Sequence, residues 1–125
     1  MYIRLFFLFF LPFCCLANQT IHEIKFADNA LFKCVSLQAK MNNWQLVDDV
    51  THLTCHGKGI SKLDGLENLK SLQSLSLYNN QLSYADVTAL NVLQHLNIAN
   101  NKLKSIKLSG LTQLQSLYLF KNKLT

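Results

Sequence analysis

Residues 72–124 contain one pattern three times, and this repetition limits the fold more than any other feature of the chain. The copies span residues 72–82, 93–103 and 114–124 and begin 21 residues apart. Each reads L-x-x-L-x-L-x-x-N-x-L, with isoleucine accepted for leucine. A fixed period in the twenties indicates a solenoid, in which each short unit stacks on the next. A solenoid is a scaffold, so function must be sought at the variable positions.

The pattern resembles the leucine-rich repeat, and a degenerate fourth copy lies at residues 50–60, with Lys58 where asparagine is expected. The central x-L-x-L-x segment is a strand whose leucines face the core and whose x residues face the concave side. Apolar residues recur about every third position between Ile60 and Leu72. We therefore predict an α/β repeat solenoid with short parallel β-strands on the concave face and irregular or 3₁₀ convex returns.

Residues 18–49 are predicted to form a lead-in and an N-terminal helical cap. The first repeat lacks a neighbour on one side, so its core edge needs a cover. Asp28 occupies an N-cap position, and residues 28–42 have apolar side chains at roughly helical spacing. The predicted apolar face comprises Leu31, Cys34, Val35, Leu37 and Met41, with Phe32 and Ala39 beside them. Trp44 is expected to pack in this cap.

Residues 1–17 have the order of a secretory signal peptide. Arg4 precedes an apolar run from Leu5 to Leu16, which ends at the small residue Ala17. The run is shorter than the roughly 20 residues of a membrane helix. We expect cleavage after Ala17 and export to the periplasm or the extracellular medium, with no membrane association afterwards. A lipid anchor on Cys14 or Cys15, and a eukaryotic secretory route, are the alternatives.

Cleavage would leave two cysteines, Cys34 in the cap helix and Cys55 in the first strand. In an exported domain such a pair indicates a disulfide rather than a metal site or a nucleophile. A loop of this size would stabilise the fold by roughly 3 kcal/mol in the chain-entropy model.

Residues 28–125 resemble the N-terminal part of a bacterial exported leucine-rich-repeat protein of internalin-like type. The cap helix, the segment from Val50 to Leu69 and the three repeats carry this resemblance, which implies recognition of a protein or surface and no catalysis. Residues 50–125 make about four repeats, and the last is incomplete because the sequence stops at Thr125. We expect a fragment or shortened product, or a second chain that covers this end by self-association.

The concave positions form three predicted columns across the strands. They are His52, Ser74, His95 and Ser116; Thr54, Ser76, Asn97 and Tyr118; and His56, Tyr78, Ala99 and Phe120. The candidate partner-binding residues are three aromatics, Tyr78, Tyr118 and Phe120, with polar contacts from His95, Asn97 and Ser76. The alternative is that the aromatics only shield the sheet. Asn80, Asn101 and Asn122 are predicted to hold the turns by hydrogen bonds to the backbone.

Composition argues against several other functions. The net charge is +5 with Arg4 as the only arginine, and most lysines are scattered, so nucleic-acid binding is not expected. The histidines stand too far apart on strands to share an ion, and no catalytic or phosphate-binding motif occurs, so neither metal nor cofactor is predicted. The remaining alternatives are a structural starter segment of a longer array, and the repeat domain of an enzyme whose catalytic part is absent.

Overall fold

The computed structural model describes residues 18–125, so the predicted signal peptide, 1–17, lies outside it and stays a prediction. One helix, α1 (Asn29–Asn42), precedes six short strands in this part of the chain. The strands are β1 (His52–Thr54), β2 (Ser74–Ser76), β3 (Tyr84–Asp86), β4 (His95–Asn97), β5 (Ser105–Lys107) and β6 (Ser116–Tyr118). Strands β1, β2, β4 and β6 form a parallel sheet in that order, and β3 pairs with β5 in a second parallel sheet.

The four-stranded sheet confirms the predicted solenoid. Successive strands pair in register, so that Leu53, Leu75 and Leu96 lie side by side. These three leucines are each 1% exposed. Because side chains alternate between the two faces of a strand, the same register that buries the leucines turns their neighbours to the concave side.

The N-terminal cap begins at Asp28, whose carboxylate connects the helix to the repeats. Its Oδ1 accepts hydrogen bonds from the backbone N–H groups of Ala30 (2.8 Å) and Leu31 (3.3 Å), as a helix N-cap does. Its Oδ2 accepts from the backbone N–H groups of Ser61 (2.7 Å) and Lys62 (3.1 Å). Partial burial raises the pKa of Asp28, but these bonds, that from Ser61 foremost, outweigh it and lower the pKa below its usual value.

The apolar face of α1 is narrower than the sequence predicts. Leu31, Cys34 and Val35 are buried, whereas Leu37 and Met41 are 55% and 73% exposed. The predicted apolar face is therefore buried at Leu31, Cys34 and Val35 and open at Leu37 and Met41.

The cap also covers the free edge of β1. The side-chain amide of Gln38 donates to the backbone oxygen of Thr54 and accepts from its N–H at 3.4 Å. One turn earlier on the helix, Cys34 forms a disulfide with Cys55, the residue after β1. The bonds from Gln38 satisfy backbone groups of β1, and the disulfide shields the same strand edge. Without these contacts, the edge would be open to pairing with another chain.

The convex side is more regular than predicted. A single 3₁₀ turn, Leu66–Asn68, lies in the first return, as the apolar spacing there indicates. The next two returns instead contain β3 and β5, which pair through Ala85 and Ile106. The first return thus contains a 3₁₀ turn, and the next two contain short paired strands within otherwise irregular segments, because stacking at a constant period brings equivalent extended segments within hydrogen-bonding distance.

Three asparagines bond the bends that follow β2, β4 and β6 to the preceding repeats. The side chain of Asn101 accepts from the N–H of Leu82 at 3.0 Å and donates to the backbone oxygens of Leu77 and Ile98 at 3.0 and 3.1 Å. Asn80 and Asn122 make the equivalent contacts one repeat earlier and later. Each amide thus supplies partners for buried backbone groups that the bend leaves unpaired.

The residue before each bend has left-handed backbone geometry. Gly57, Asn79, Asn100 and Lys121 have φ values of 61°, 60°, 57° and 55°. Glycine and asparagine tolerate this region, whereas a side chain such as lysine is disfavoured there. The sequence indicates this geometry by a glycine or an asparagine directly before the repeated asparagine position, and Lys121 is the exception.

We expect Asn101→Ala to lower the free energy of unfolding by about 3 kcal/mol, because the N–H of Leu82 loses its side-chain acceptor and the oxygens of Leu77 and Ile98 each lose one of two asparagine donors. Denaturant unfolding measures this change. Asn91→Ala is the matched control, since Asn91 is exposed and outside the bends. An effect of Asn101→Ala that is no larger than that of the control would contradict the assigned role.

Asp28→Ala should destabilise the protein at neutral pH by about 1 kcal/mol for the lost N-cap, and further for the lost bonds to residues 61 and 62. Because the pKa of Asp28 is lower in the folded state, its contribution is complete above the unfolded pKa and disappears as pH falls through the folded pKa. The difference from wild type should therefore shrink below pH ~4. Asp64→Ala is the control, and a pH-independent difference would contradict this explanation.

Candidate functional site

The concave face presents the three columns of side chains that the repeat pattern predicts. Strand pairing aligns His52, Ser74, His95 and Ser116 in one column, and Thr54, Ser76, Asn97 and Tyr118 in the next. Backbone bonds from Gly57 to Tyr78, from Asn79 to Ala99 and from Asn100 to Phe120, at 3.1, 3.1 and 2.9 Å, continue the ladder past the strands. They align His56, Tyr78, Ala99 and Phe120 in the third column.

The three candidate aromatics differ in their exposure. Tyr118 and Phe120 are 51% and 55% exposed, and their rings meet edge to face with centroids 6.5 Å apart. Tyr78 is half-buried and packs edge-on against His56 at 5.7 Å. Ala99, between Tyr78 and Phe120 in the column, is buried although it is not part of the core cluster. The open aromatic surface is therefore the pair formed by Tyr118 and Phe120, and Tyr78 supports the sheet beside it.

The candidate polar residues are partly engaged within the sheet. The hydroxyl of Ser76 is 2.6 Å from Nε2 of His56, and His95 Nδ1 is 2.8 Å from the hydroxyl of Ser116. The side-chain oxygen of Asn97 accepts from the N–H of Ala99 at 3.0 Å. These contacts fix the side chains in place, and within residues 18–125 the other ring nitrogen of His95 and the amide nitrogen of Asn97 make no hydrogen bond.

Two serine–histidine pairs on this face resemble nucleophile–base pairs by distance alone. A hydrolytic site also needs a group that orients the imidazole and donors that stabilise an oxyanion. Among residues 18–125, neither His56 nor His95 is hydrogen-bonded to a carboxylate. We therefore interpret both pairs as cross-strand hydrogen bonds that position rings on the sheet.

Sequence reasoning missed a second aromatic cluster at the cap end of the face. Trp44 is half-buried against the core, as predicted, but its ring also contacts the ring of His52 edge to face at 5.4 Å. His56 and Tyr78 form the next ring contact along the sheet. The backbone N–H of Trp44 donates to Ala39 at the end of the cap helix, and the contact of its ring with His52 is one that no local pattern reveals.

The concave columns contain no aspartate, glutamate or lysine. Ionic groups lie around this neutral surface, and the nearest in sequence are Lys58, after His56, and Lys121, after Phe120. Interface cores are depleted in charge and enriched in aromatic residues, whereas rims are polar. The arrangement has the composition of such a core with a basic border.

Other kinds of site are not apparent in the described part of the chain. Over residues 18–125, no three His, Cys, Asp or Glu side chains are placed to hold one metal ion. A search of the same residues for a helix of membrane-spanning length and hydropathy found none.

Comparisons with known proteins agree with the geometry. The Leucine Rich Repeat family model matches residues 71–91 and 92–114. An internalin, InlF, from Listeria monocytogenes superposes with a TM-score of 0.70 at 28% identity, over 88% of this chain and 34% of that one. The functional domain of InlJ from the same species, which includes a cysteine ladder, gives 0.74 at 26% identity, over 87% and 25%.

An internalin C2 from Listeria monocytogenes has a TM-score of 0.60 at 24% identity, over 86% of this chain and 61% of that one, and supports the fold alone. A search of curated protein sequences gave no match. The chain thus spans between a quarter and about three fifths of these solved structures.

The repeats and the stacked parallel strands define a leucine-rich-repeat solenoid with a helical cap. Within that class the chain is similar in structure to the bacterial internalins InlF and InlJ.

We expect the double variant Tyr118→Ser/Phe120→Ser to change the free energy of unfolding by less than about 1 kcal/mol, because both rings are more than half exposed. Tyr78→Ser should be the more damaging substitution, since this ring is half-buried against His56. Thermal unfolding measures both changes. The reverse order would contradict the division into an open aromatic pair and a supporting tyrosine.

Proposed function

We propose that the protein is an exported recognition module that binds a partner protein through the concave face of its solenoid. The observation that carries this proposal is the aromatic pair, defined as Tyr118 and Phe120, which stands open on a rigid sheet free of charged side chains. Large aromatic side chains on a pre-formed surface bind at low entropic cost. Burial of this pair supplies affinity, and Tyr78, His95, Asn97 and Ser76 supply the surrounding contacts.

Three further observations support the proposal. The internalin likeness concerns the part of the chain that contains this face. The Cys34–Cys55 disulfide suits an oxidising compartment, which agrees with export under the predicted signal peptide. Hydrogen bonds between the side chains of adjacent strands hold the face in one conformation, so little order is lost on binding. Catalysis and cofactors form no part of the proposal.

Site-directed photo-crosslinking tests the proposed function. Phe120→p-benzoylphenylalanine should give discrete adducts with a partner in the organism that encodes the protein. Tyr84→p-benzoylphenylalanine is the matched control, because Tyr84 is an aromatic residue 45% exposed on convex strand β3. Adding Tyr118→Ser should reduce adduct yield at position 120 about tenfold or more. Absence of adducts at position 120, or equal adducts at both positions, would refute concave-face recognition.

A second candidate role is structural and concerns the face of β6. Leu117 is 38% exposed, whereas its equivalents Leu75 and Leu96 are 1% exposed. Leu124 is also 38% exposed, whereas its equivalents Leu82 and Leu103 are fully buried. A further repeat or a second copy of the chain would cover them, which is the basis of the predicted self-association. Sedimentation at increasing concentration distinguishes a further repeat from a second copy, because only a second copy makes the measured mass depend on concentration. Leu117→Glu should abolish that dependence.

A further inference from the structure

The charges of the chain are unevenly divided. Residues 18–86 contain six lysines and all seven carboxylate side chains. Residues 87–125 contain five lysines and neither aspartate nor glutamate. The positive net charge therefore belongs to residues 87–125, which also contain Tyr118 and Phe120.

One of those five lysines is compensated by its neighbour. Lys107 on β5 stands beside Asp86 on β3 in the convex sheet. The pKa of Asp86 is lowered, first by hydrogen bonds from Thr88 and then by the charge of Lys107. Lys107 thus lies on the convex side, where the charge of Asp86 balances its own. The excess positive charge belongs to the other four lysines.

Three of the remaining lysines lie on adjacent repeats, shortly after the concave strands β4 and β6. Lys121 directly follows Phe120, and the backbone of Lys123 donates to the oxygen of Leu103 at 2.8 Å, next to Lys102. All three side chains are exposed. We call Lys102, Lys121 and Lys123 the basic edge. No acidic side chain within residues 87–125 neutralises it.

We propose that the partner contributes an apolar side chain bordered by carboxylates, so that the aromatic pair receives the apolar group and the basic edge receives the carboxylates. The inference rests on the proposed function and specifies the chemistry of its partner. An aromatic centre excludes water, and a single-signed rim opposite complementary charge sets register and accelerates association. A bare polyanion would engage the basic edge without using the aromatic pair.

The test is a selection of random peptides displayed on phage against the full-length exported protein. Wild type should enrich peptides with Asp or Glu beside Leu, Phe or Trp. The charge-reversed variant Lys102→Glu/Lys121→Glu/Lys123→Glu should enrich Lys and Arg at the same positions. The affinity of this variant for the peptides selected with wild type should be lower by about tenfold or more at low salt. Lys33→Glu/Lys62→Glu/Lys70→Glu is the matched control, with an equal change of charge on exposed residues of the segment 18–86, and should behave as wild type.

Each of the other outcomes contradicts either the acidic partner or concave-face recognition. No enriched peptide, or peptides that depend on the aromatic pair without an acidic bias, would refute the acidic partner and leave concave-face recognition standing. Peptides indifferent to Tyr118→Ser/Phe120→Ser would refute concave-face recognition itself. Heparin or a DNA duplex bound as tightly as the peptides, through the same lysines, would show a general polyanion surface and also overturn the inference.

Discussion

The side-chain amides of Asn80, Asn101 and Asn122, of which the first two are buried, make the contacts on which the rest of the solenoid depends. A strand that must leave the sheet and cross the core exposes backbone N–H and C=O groups to an apolar interior, where unpaired polar groups are costly. A side chain with both a donor and an acceptor satisfies them, and the reach to the preceding repeat joins one turn to the next.

The first and last strands of the described sheet show that the asparagine hydrogen bonds alone do not cover the core. At the N-terminal end, Gln38 bonds the backbone of β1, Asp28 joins helix to repeat, and a disulfide closes the contact. At β6 the same leucine positions are partly open to solvent. Each repeat buries its core only against a neighbour, so stability is shared along the stack and any element that covers an end contributes to all of it.

The concave face acquires its properties from this rigidity. Strands held in register by the core present rings and neutral polar groups at fixed spacing, and cross-strand bonds such as His95–Ser116 fix their orientation. The lysines are kept out of the columns and placed where the chain turns away. Recognition by such a surface depends on shape and aromatic burial at the centre and on charge at the border. The scaffold and the proposed binding chemistry are thus carried by different residues of the same repeats.

The sequence by itself determined the period, the strands, the inward leucines and the N-cap at Asp28, because each is encoded locally by spacing and residue type. It also indicated which residues share a column, since a constant period fixes the register. Only the tertiary structure decided that Leu37 and Met41 stay outside, that β3 and β5 pair, that Trp44 reaches His52, and that Tyr78 is a support while Tyr118 and Phe120 are open. Those outcomes depend on contacts between residues of different repeats or between the cap and the repeats. A periodic pattern in the sequence does not specify these contacts.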